Sequence, residues 1–543
     1  MTPTPAKKNV MQNKSVVQLL ILAACILFTL IVAATAVHAL SLLARLTVDG
    51  YFAEGVLYLK ENLTHSVLLT ACAILAFLFA HAILQKMNIR IEHGLLLLWL
   101  VAALAWVIGV QVQQNSDPAA LLQTAYEFAE DDFRDLTWGY YMGCPFQLGM
   151  VLLLEIIIRM LPSLDANIVM QCLNCVFAVT TIGFLTGFAQ YVSGEKERTA
   201  TLLLLMTCLP LFLFTVFVYG TLLMLMLCSI SFLLFAKFIR SRRISYIVFS
   251  AVLLALACQA KQNAMIAQMA MLICCVLFAL QYRDWRPVLI AAASIALGIF
   301  LGQIIVWQYE LRSGIQLIQN ESKLTWLVMG LSEGGARSGW YNGYVGRFFD
   351  RYLTREAQLA EVKADLADRL KEMASDPAMT AAFMKDKWLS QWLEPTYSTI
   401  ARNMGGEWYG RYNGVAEHVY RSVTYSGQLV LGYMNTWQKC LYIFSTFGGM
   451  SWIFHSSDRR ALEWLILPVT IIGGFLFHQL FEAKSQYIFP YMIYLIPVAA
   501  HGLCQAEKSI IAVLQRLTGK SGVKRMISCS VDRLRTLVYN EKN

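Results

Sequence analysis

An all-α polytopic membrane protein is the fold class predicted by this 543-residue sequence: 57% of the residues are hydrophobic, only 15% are charged, and the mean hydropathy is +0.54. Soluble domains carry about 25% charged residues. Runs such as SVVQLLILAACILFTLIVAATAVHAL and HGLLLLWLVAALAWVIGV are long enough, at about 1.5 Å per residue, to cross roughly 30 Å of hydrocarbon. They recur too often to be one signal peptide. The formal charge of +9 comes from basic residues gathered at the ends of apolar runs, as inner-side loops of a plasma-membrane protein require. Anionic lipid, and not nucleic acid, is the partner this charge implies. The 13 cysteines lie mainly inside apolar runs, for instance Cys208, Cys228, Cys274 and Cys275, and read as small buried hydrophobes.

Each element follows from the same reasoning. Lys7 and Lys8 precede a first span near 16–41 and place the N-terminus inside; a second near 65–86 returns, and a third near 93–112 delivers the chain to the outer face. Residues 113–142 hold too many charges for lipid and form an external loop with short helices. The stretch CPFQLGMVLLLEIIIRML contains Glu155 and Arg159; if it crossed, the basic loops that follow would lie outside, so residues 143–160 read as an interfacial or re-entrant helix. Spans are expected near 167–190, 199–217, 218–236, 244–262, 264–281 and 287–308. Residues 309–423 form an external block, helical in composition, with a break at Ser375-Asp376-Pro377. Spans near 429–449, 462–480 and 487–503 bring the count to about twelve, ahead of a basic tail containing Arg516, Lys520, Lys524, Arg525, Arg533 and Arg535. The organisation is thus a two-span extension at 1–92, a transmembrane module at 93–308 with its external loop at 113–165, the external block at 309–423, C-terminal spans at 424–503 and a cytoplasmic tail at 504–543.

Four patches offer chemistry. Asp117 directly follows the third span, where a carboxylate is outside the hydrocarbon yet held against the bundle. A helix N-cap with Pro118 in the first turn explains it equally well. Asp131, Asp132 and Asp135 belong to an acidic run without a specific metal spacing; they are candidate ligands for a divalent metal or the solvated face of a loop. Lys261 is a charge among apolar residues near the outer end of the bundle, and must snorkel, pair with an acid or hold an anion. Glu482, Lys484 and Tyr487 repeat the theme, since lysine suits a phosphate and tyrosine donates a hydrogen bond; an interfacial belt is the plainer alternative. In the external block, SGWYNGY has no GxxxxGKS/T phosphate loop, but Trp340, Tyr341 and Asn342 suit a sugar, and Trp388, Trp392, Glu394 and Tyr397 add a second polar and aromatic group. Both groups serve equally to pack the block onto the membrane.

Taken in order, Ser116-Asp117 with Ala125, Cys144-Pro145-Phe146-Gln147-Leu148-Gly149, Lys261-Gln262-Asn263, Gly339-Trp340-Tyr341-Asn342, Trp392-Leu393-Glu394-Pro395 and Glu482-Ala483-Lys484-Ser485-Gln486-Tyr487 resemble patterns of the membrane-embedded GT-C glycosyltransferases. The bacterial branch grouped with protein O-mannosyltransferases and aminoarabinose transferases is the closer resemblance, over roughly residues 93–503. It implies a GT-C-like bundle with interfacial helices in the first external loop of the catalytic module and a larger helical external block. It also implies a sugar donor linked to polyprenyl phosphate and transfer, on the outer face of the cytoplasmic membrane, to a hydroxyl of a glycan, lipid or protein. The family's acid at the start of the first external loop falls on Asp117, which would deprotonate or orient the acceptor. Many members carry a second acid in the next external turn, where this chain has Tyr219, Gly220 and Thr221. That departure removes a metal ligand and favours a metal-independent reaction, with a divalent metal held by acids from 127 to 135 as the alternative.

On this reading one displacement inverts the anomeric configuration. Lys261, Lys484, Tyr487, Arg337 and Arg347 are the candidates for the donor phosphate, and Tyr141, Gln147, Trp340, Tyr341, Asn342, Trp392 and Glu482 for the sugar and acceptor. A transporter or flippase of lipid-linked sugars also needs buried charges and many spans, but fits the large external block and the lack of evident repeats less well. A ligase or polymerase of envelope polysaccharide is a chemically close alternative.

Overall fold

The computed structural model describes residues 5–49, 53–85, 89–137, 139–317, 323–349, 354–403, 428–455 and 461–539. Helices dominate because an apolar run in lipid must satisfy its own backbone hydrogen bonds. Eight are long and apolar enough to cross a membrane: Ser15–Ala39, Leu63–Leu84, Glu92–Val110, Ala166–Val192, Thr221–Ser241, Ala264–Tyr282, Arg286–Ser313 and Ser485–Val513. Glu195–Met206 and Leu209–Val216, bent by 55°, add a ninth if they form one broken span. The described chain is a polytopic helical bundle of eight or nine such helices, against the expected count of about twelve. The difference lies in particular segments. The expected spans near 244–262 and 462–480 are apolar helices of only 17 and 15 residues, Ile244–Ala260 and Ile466–Leu480. The one near 429–449 falls in Gln428–His455, which carries Asn435, Gln438 and Lys439 at buried positions.

Enclosure varies strongly across the bundle. In Ser485–Val513, 89% of the most apolar window is buried, against 11% in Leu63–Leu84 and 17% in Arg286–Ser313, so the last span is central and those two lie at the perimeter. The segment expected at the interface is a 3-10 turn, Pro145–Gln147, followed by the 13-residue helix Leu148–Met160. At about 20 Å it is too short to cross. The expected break in the external block is present: Arg355–Ser375 ends, and Asp376 caps Pro377–Trp392 by accepting from Ala378 N at 3.1 Å and Met379 N at 2.9 Å. The basic tail continues the last helix to Tyr539.

One element departs from the all-α expectation. Leu42–Asp49 and Ala53–Lys60 form an antiparallel hairpin with Leu42 opposite Lys60 and Asp49 opposite Ala53. It docks on the external block, with Ala44 N donating to Leu393 O at 3.2 Å and the Tyr58 hydroxyl to Asp386 Oδ1 at 2.8 Å. Irregular backbone inside the bundle is satisfied by side-chain amides, as burial demands. Gln114 Nε2 donates to Val216 O at 2.9 Å while its Oε1 accepts from Val218 N at 3.1 Å; Asn174 Nδ2 reaches Thr215 O and Phe217 O, and Asn403 Nδ2 reaches Leu213 O.

Candidate active site at one end of the bundle

Asp117 is the first residue of the helix Asp117–Ala129, behind Ser116, which holds a positive φ of 56° and makes no side-chain cap. The carboxylate reaches across the chain to another loop: Asp117 Oδ2 accepts the Tyr219 hydroxyl proton at 2.9 Å. The simple N-cap explanation therefore does not account for it. The Tyr219 oxygen in turn accepts from Gln147 Nε2 at 2.6 Å. Lys261 Nζ lies 3.2 Å from the centre of the Tyr219 ring, a cation held on the negative face of an aromatic. Three loops, each ending or starting an apolar helix, thus converge on one phenol.

Two glycines make this approach sterically feasible. A Cβ on Gly149 would lie 2.3 Å from Gln259 O, and one on Gly220, whose φ is +75°, would lie 2.2 Å from Ala260 O. Both backbones press on the last turn of Ile244–Ala260, immediately before Lys261, which aligns Gln147, Tyr219 and Lys261. Burial is the main influence on the two groups. It pulls the Lys261 ammonium down to about 7, while the Asp117 carboxylate favours its charge and the Arg402 and Lys484 cations oppose it. Burial, reinforced by the Asp117 carboxylate, holds the Tyr219 phenol well above the usual tyrosine range, so it stays a hydrogen-bond donor.

A narrow crevice of about 10 Å³ opens beside this group, lined by Tyr219, Lys261, Asn263, Gln486, Tyr487 and Pro490 among others. Tyr487 donates its hydroxyl to Glu482 Oε2 at 3.4 Å, and Glu482 and Lys484 lie within electrostatic reach of Lys261. Tyr341, 57% exposed, stands within electrostatic reach of both Glu482 and Asp117. Of the expected site residues, Asp117, Gln147, Lys261, Glu482, Lys484, Tyr487 and Tyr341 therefore share one end of the bundle.

Arg402 belongs to the same group, though the sequence did not single it out. Its guanidinium donates to Asn115 Oδ1 at 3.0 Å and Gln486 Oε1 at 2.9 Å and lies 4.9 Å from the centre of the Phe217 ring. A buried carboxylate, Glu394, places it. Glu394 accepts from Thr396 N at 2.9 Å and Ser398 N at 3.0 Å, fixing a turn in which Tyr397 and Ser398 both have positive φ, and that turn launches the short helix Thr399–Asn403.

Other expected residues have their described contacts elsewhere. Trp340 is buried and donates its Nε1 to Ser390 Oγ at 2.9 Å; Trp392 is buried against Phe475. Asn342 bridges its own loop, donating to Glu333 O and accepting from Tyr344 N. Arg337 donates to Val56 O at 2.9 Å and lies over the Tyr58 ring, tying the hairpin to the block, while Arg347 pairs with Glu361. Tyr141 is buried in the short helix Gly139–Gly143. Asp131 pairs with Arg159 and Arg312, Asp132 with Arg134, and Asp135 accepts the Thr124 hydroxyl, so these acids are directed to separate partners. Cys172 and Cys175 have a CxxC spacing but lie within one helix, and no group of three or more His, Cys, Asp or Glu side chains suited to a metal occurs among the described residues.

Fold and site together define a polytopic helical membrane protein with a carboxylate, a phenol and several cations gathered at one end of its bundle. No family model matches the chain, and no curated protein matches it.

Proposed function

We propose that the chain is a glycosyltransferase of GT-C-like arrangement that moves a sugar from a polyprenyl-phosphate donor to an acceptor hydroxyl at the outer face of the plasma membrane. The observation that carries this reading is the meeting of Asp117, Tyr219 and Lys261 beside a crevice at the end of the apolar helices. In the reaction, the acceptor oxygen attacks the anomeric carbon and its proton passes to the Asp117 carboxylate. The bond from that carbon to the phosphate oxygen breaks, and its electron pair stays on the lipid phosphate. Lys261, Lys484 and Arg402 face the growing negative charge, which they stabilise more in the transition state than in the ground state. Tyr219, held by Gln147, orients the carboxylate. A single displacement inverts the anomeric configuration.

Asp117→Asn is expected to lower transfer by about a hundredfold or more while leaving the melting temperature intact. Wild-type turnover in the purified variant removes the acid assignment, and movement of lipid-linked sugar across vesicles without a covalent product favours a flippase. Because no second acid faces Asp117 in the Tyr219 loop, activity is expected to survive exhaustive EDTA treatment; loss restored by one added divalent cation shows a metal requirement.

A further inference from the structure

A second cavity lies at the other end of the bundle. Val112 and Asn167 are joined beside the first site by a 2.9 Å hydrogen bond, so the opposite ends of Glu92–Val110 and Ala166–Val192 lie about 27 Å and about 39 Å away along the helix axes. There, with the start of Glu195–Met206, they line a partly open cavity of about 160 Å³. One part of the lining is apolar, Leu96, Gly183 and Leu202; the other is polar, Glu92, Gln190 and Arg198. The Arg198 side chain is 14% exposed, and it pairs with Glu92, also 14% exposed, and with Glu195 at 3.1 Å. Glu195 is 71% exposed and does not line the cavity, so Glu92 and Arg198 give its wall one charge of each sign.

Thr186 supplies a second, independent sign. Buried threonines in helices commonly return their hydroxyl to the carbonyl four residues back. Thr181 does so at 2.8 Å in this same helix, and Thr201 does so at 2.7 Å in the next. Thr186 lines the cavity, is 6% exposed, and its Oγ1 has no hydrogen-bond partner among the described residues. Beside it Gly183 leaves room, for a Cβ there would meet nothing within 4 Å. A ligand for this space needs a cation for Glu92, an acceptor for Arg198 and Thr186, and an apolar stem for Leu96 and Leu202.

We propose that the cavity holds the headgroup and first methylenes of a zwitterionic phospholipid bearing a primary amine. The ammonium lies against Glu92, the phosphate against Arg198 and the Thr186 hydroxyl, and the glycerol end over Gly183. A span end is where lipid headgroups sit. A purely anionic headgroup would bring no cation to Glu92 while competing with it for Arg198, and a quaternary amine has no N–H to donate to that carboxylate.

Native mass spectrometry of the purified full chain, loaded in turn with phosphatidylethanolamine, phosphatidylcholine and phosphatidylglycerol in mixed micelles, tests this. Retention of the ethanolamine lipid is expected to exceed the other two by about tenfold, with the preference lost in Gly183→Leu, which fills the apolar end without touching a charge. Equal retention of the three lipids, preference for the anionic one, or a wild-type pattern in Gly183→Leu overturns the proposal. If that variant does not fold, Thr186→Val decides: a fall in ethanolamine-lipid retention supports the site, and an unchanged value overturns it.

Discussion

Lys261 stands on the face of one ring, in a connection between helices, and its charge governs what the crevice can hold. With its ammonium drawn to about 7 by burial, the cationic fraction falls as pH rises through neutrality. A donor phosphate that binds only the cation is therefore held well at pH 6 and poorly at pH 8, a loss of up to about tenfold in affinity over that interval. Lys261→Arg stays charged and should flatten the profile of donor KM, whereas a flat wild-type profile removes the ammonium from the donor site. Lys484→Ala should raise donor KM more than acceptor KM, with equal effects on both counting against a phosphate role. Residue types were legible at this scale, but their surroundings were not. Asp117 and Lys261 stood out because a charge beside an apolar run is costly. Nothing in the sequence distinguishes buried Trp340 and Trp392 from an exposed aromatic such as Tyr341, and Arg402 lies in a polar segment where an arginine is unremarkable.

Helix ends, more than helix interiors, determine the site's geometry. Gly149 and Gly220 sit where a Cβ would collide with backbone oxygen, and backbone cannot yield as a flexible side chain can. Gly149→Ala is expected to cost about 1–3 kcal/mol and to lower turnover by displacing Gln147. Gly432→Ala, whose Cβ would meet nothing within 4 Å in the helix Gln428–His455, is the control and should leave the melting temperature unchanged or slightly raised. If both variants melt alike, the close approach is not what sets the register. Long apolar helices were readable from hydropathy because length and composition suffice. Short ones were read as full spans because hydropathy registers apolar character, while crossing also demands length: Ile466–Leu480 has the first and only 15 residues of the second. The hairpin was overlooked although Asp49-Gly50 is a turn pair and the flanking segments are rich in Leu, Val and Tyr, because membrane-scale patterns overshadowed a local period of two.

Across the whole molecule, a second tie fastens the 113–165 segment to the bundle besides the Tyr219 contacts. Glu155, 2% exposed, accepts from Arg159 at 2.9 Å, Arg312 at 2.6 Å and Tyr309 at 2.8 Å, and both arginines also reach Asp131. Glu155→Gln is expected to destabilise by about 2 kcal/mol; that is below the full penalty for breaking a buried pair, because both arginines keep access to water. Limited proteolysis within residues 113–142 should quicken in the variant, and an unchanged cleavage rate would show that the loop is anchored elsewhere. The opposite side of the site is fastened differently. Lys387, with no exposed surface, donates to Gly330 O in the external block and to Phe481 O, at 2.7 Å, in the connection that carries Glu482 and Lys484. One ammonium is thus a rivet through two plates, so the helix Leu324–Leu331 cannot shift without dragging the Lys484 strap along with it.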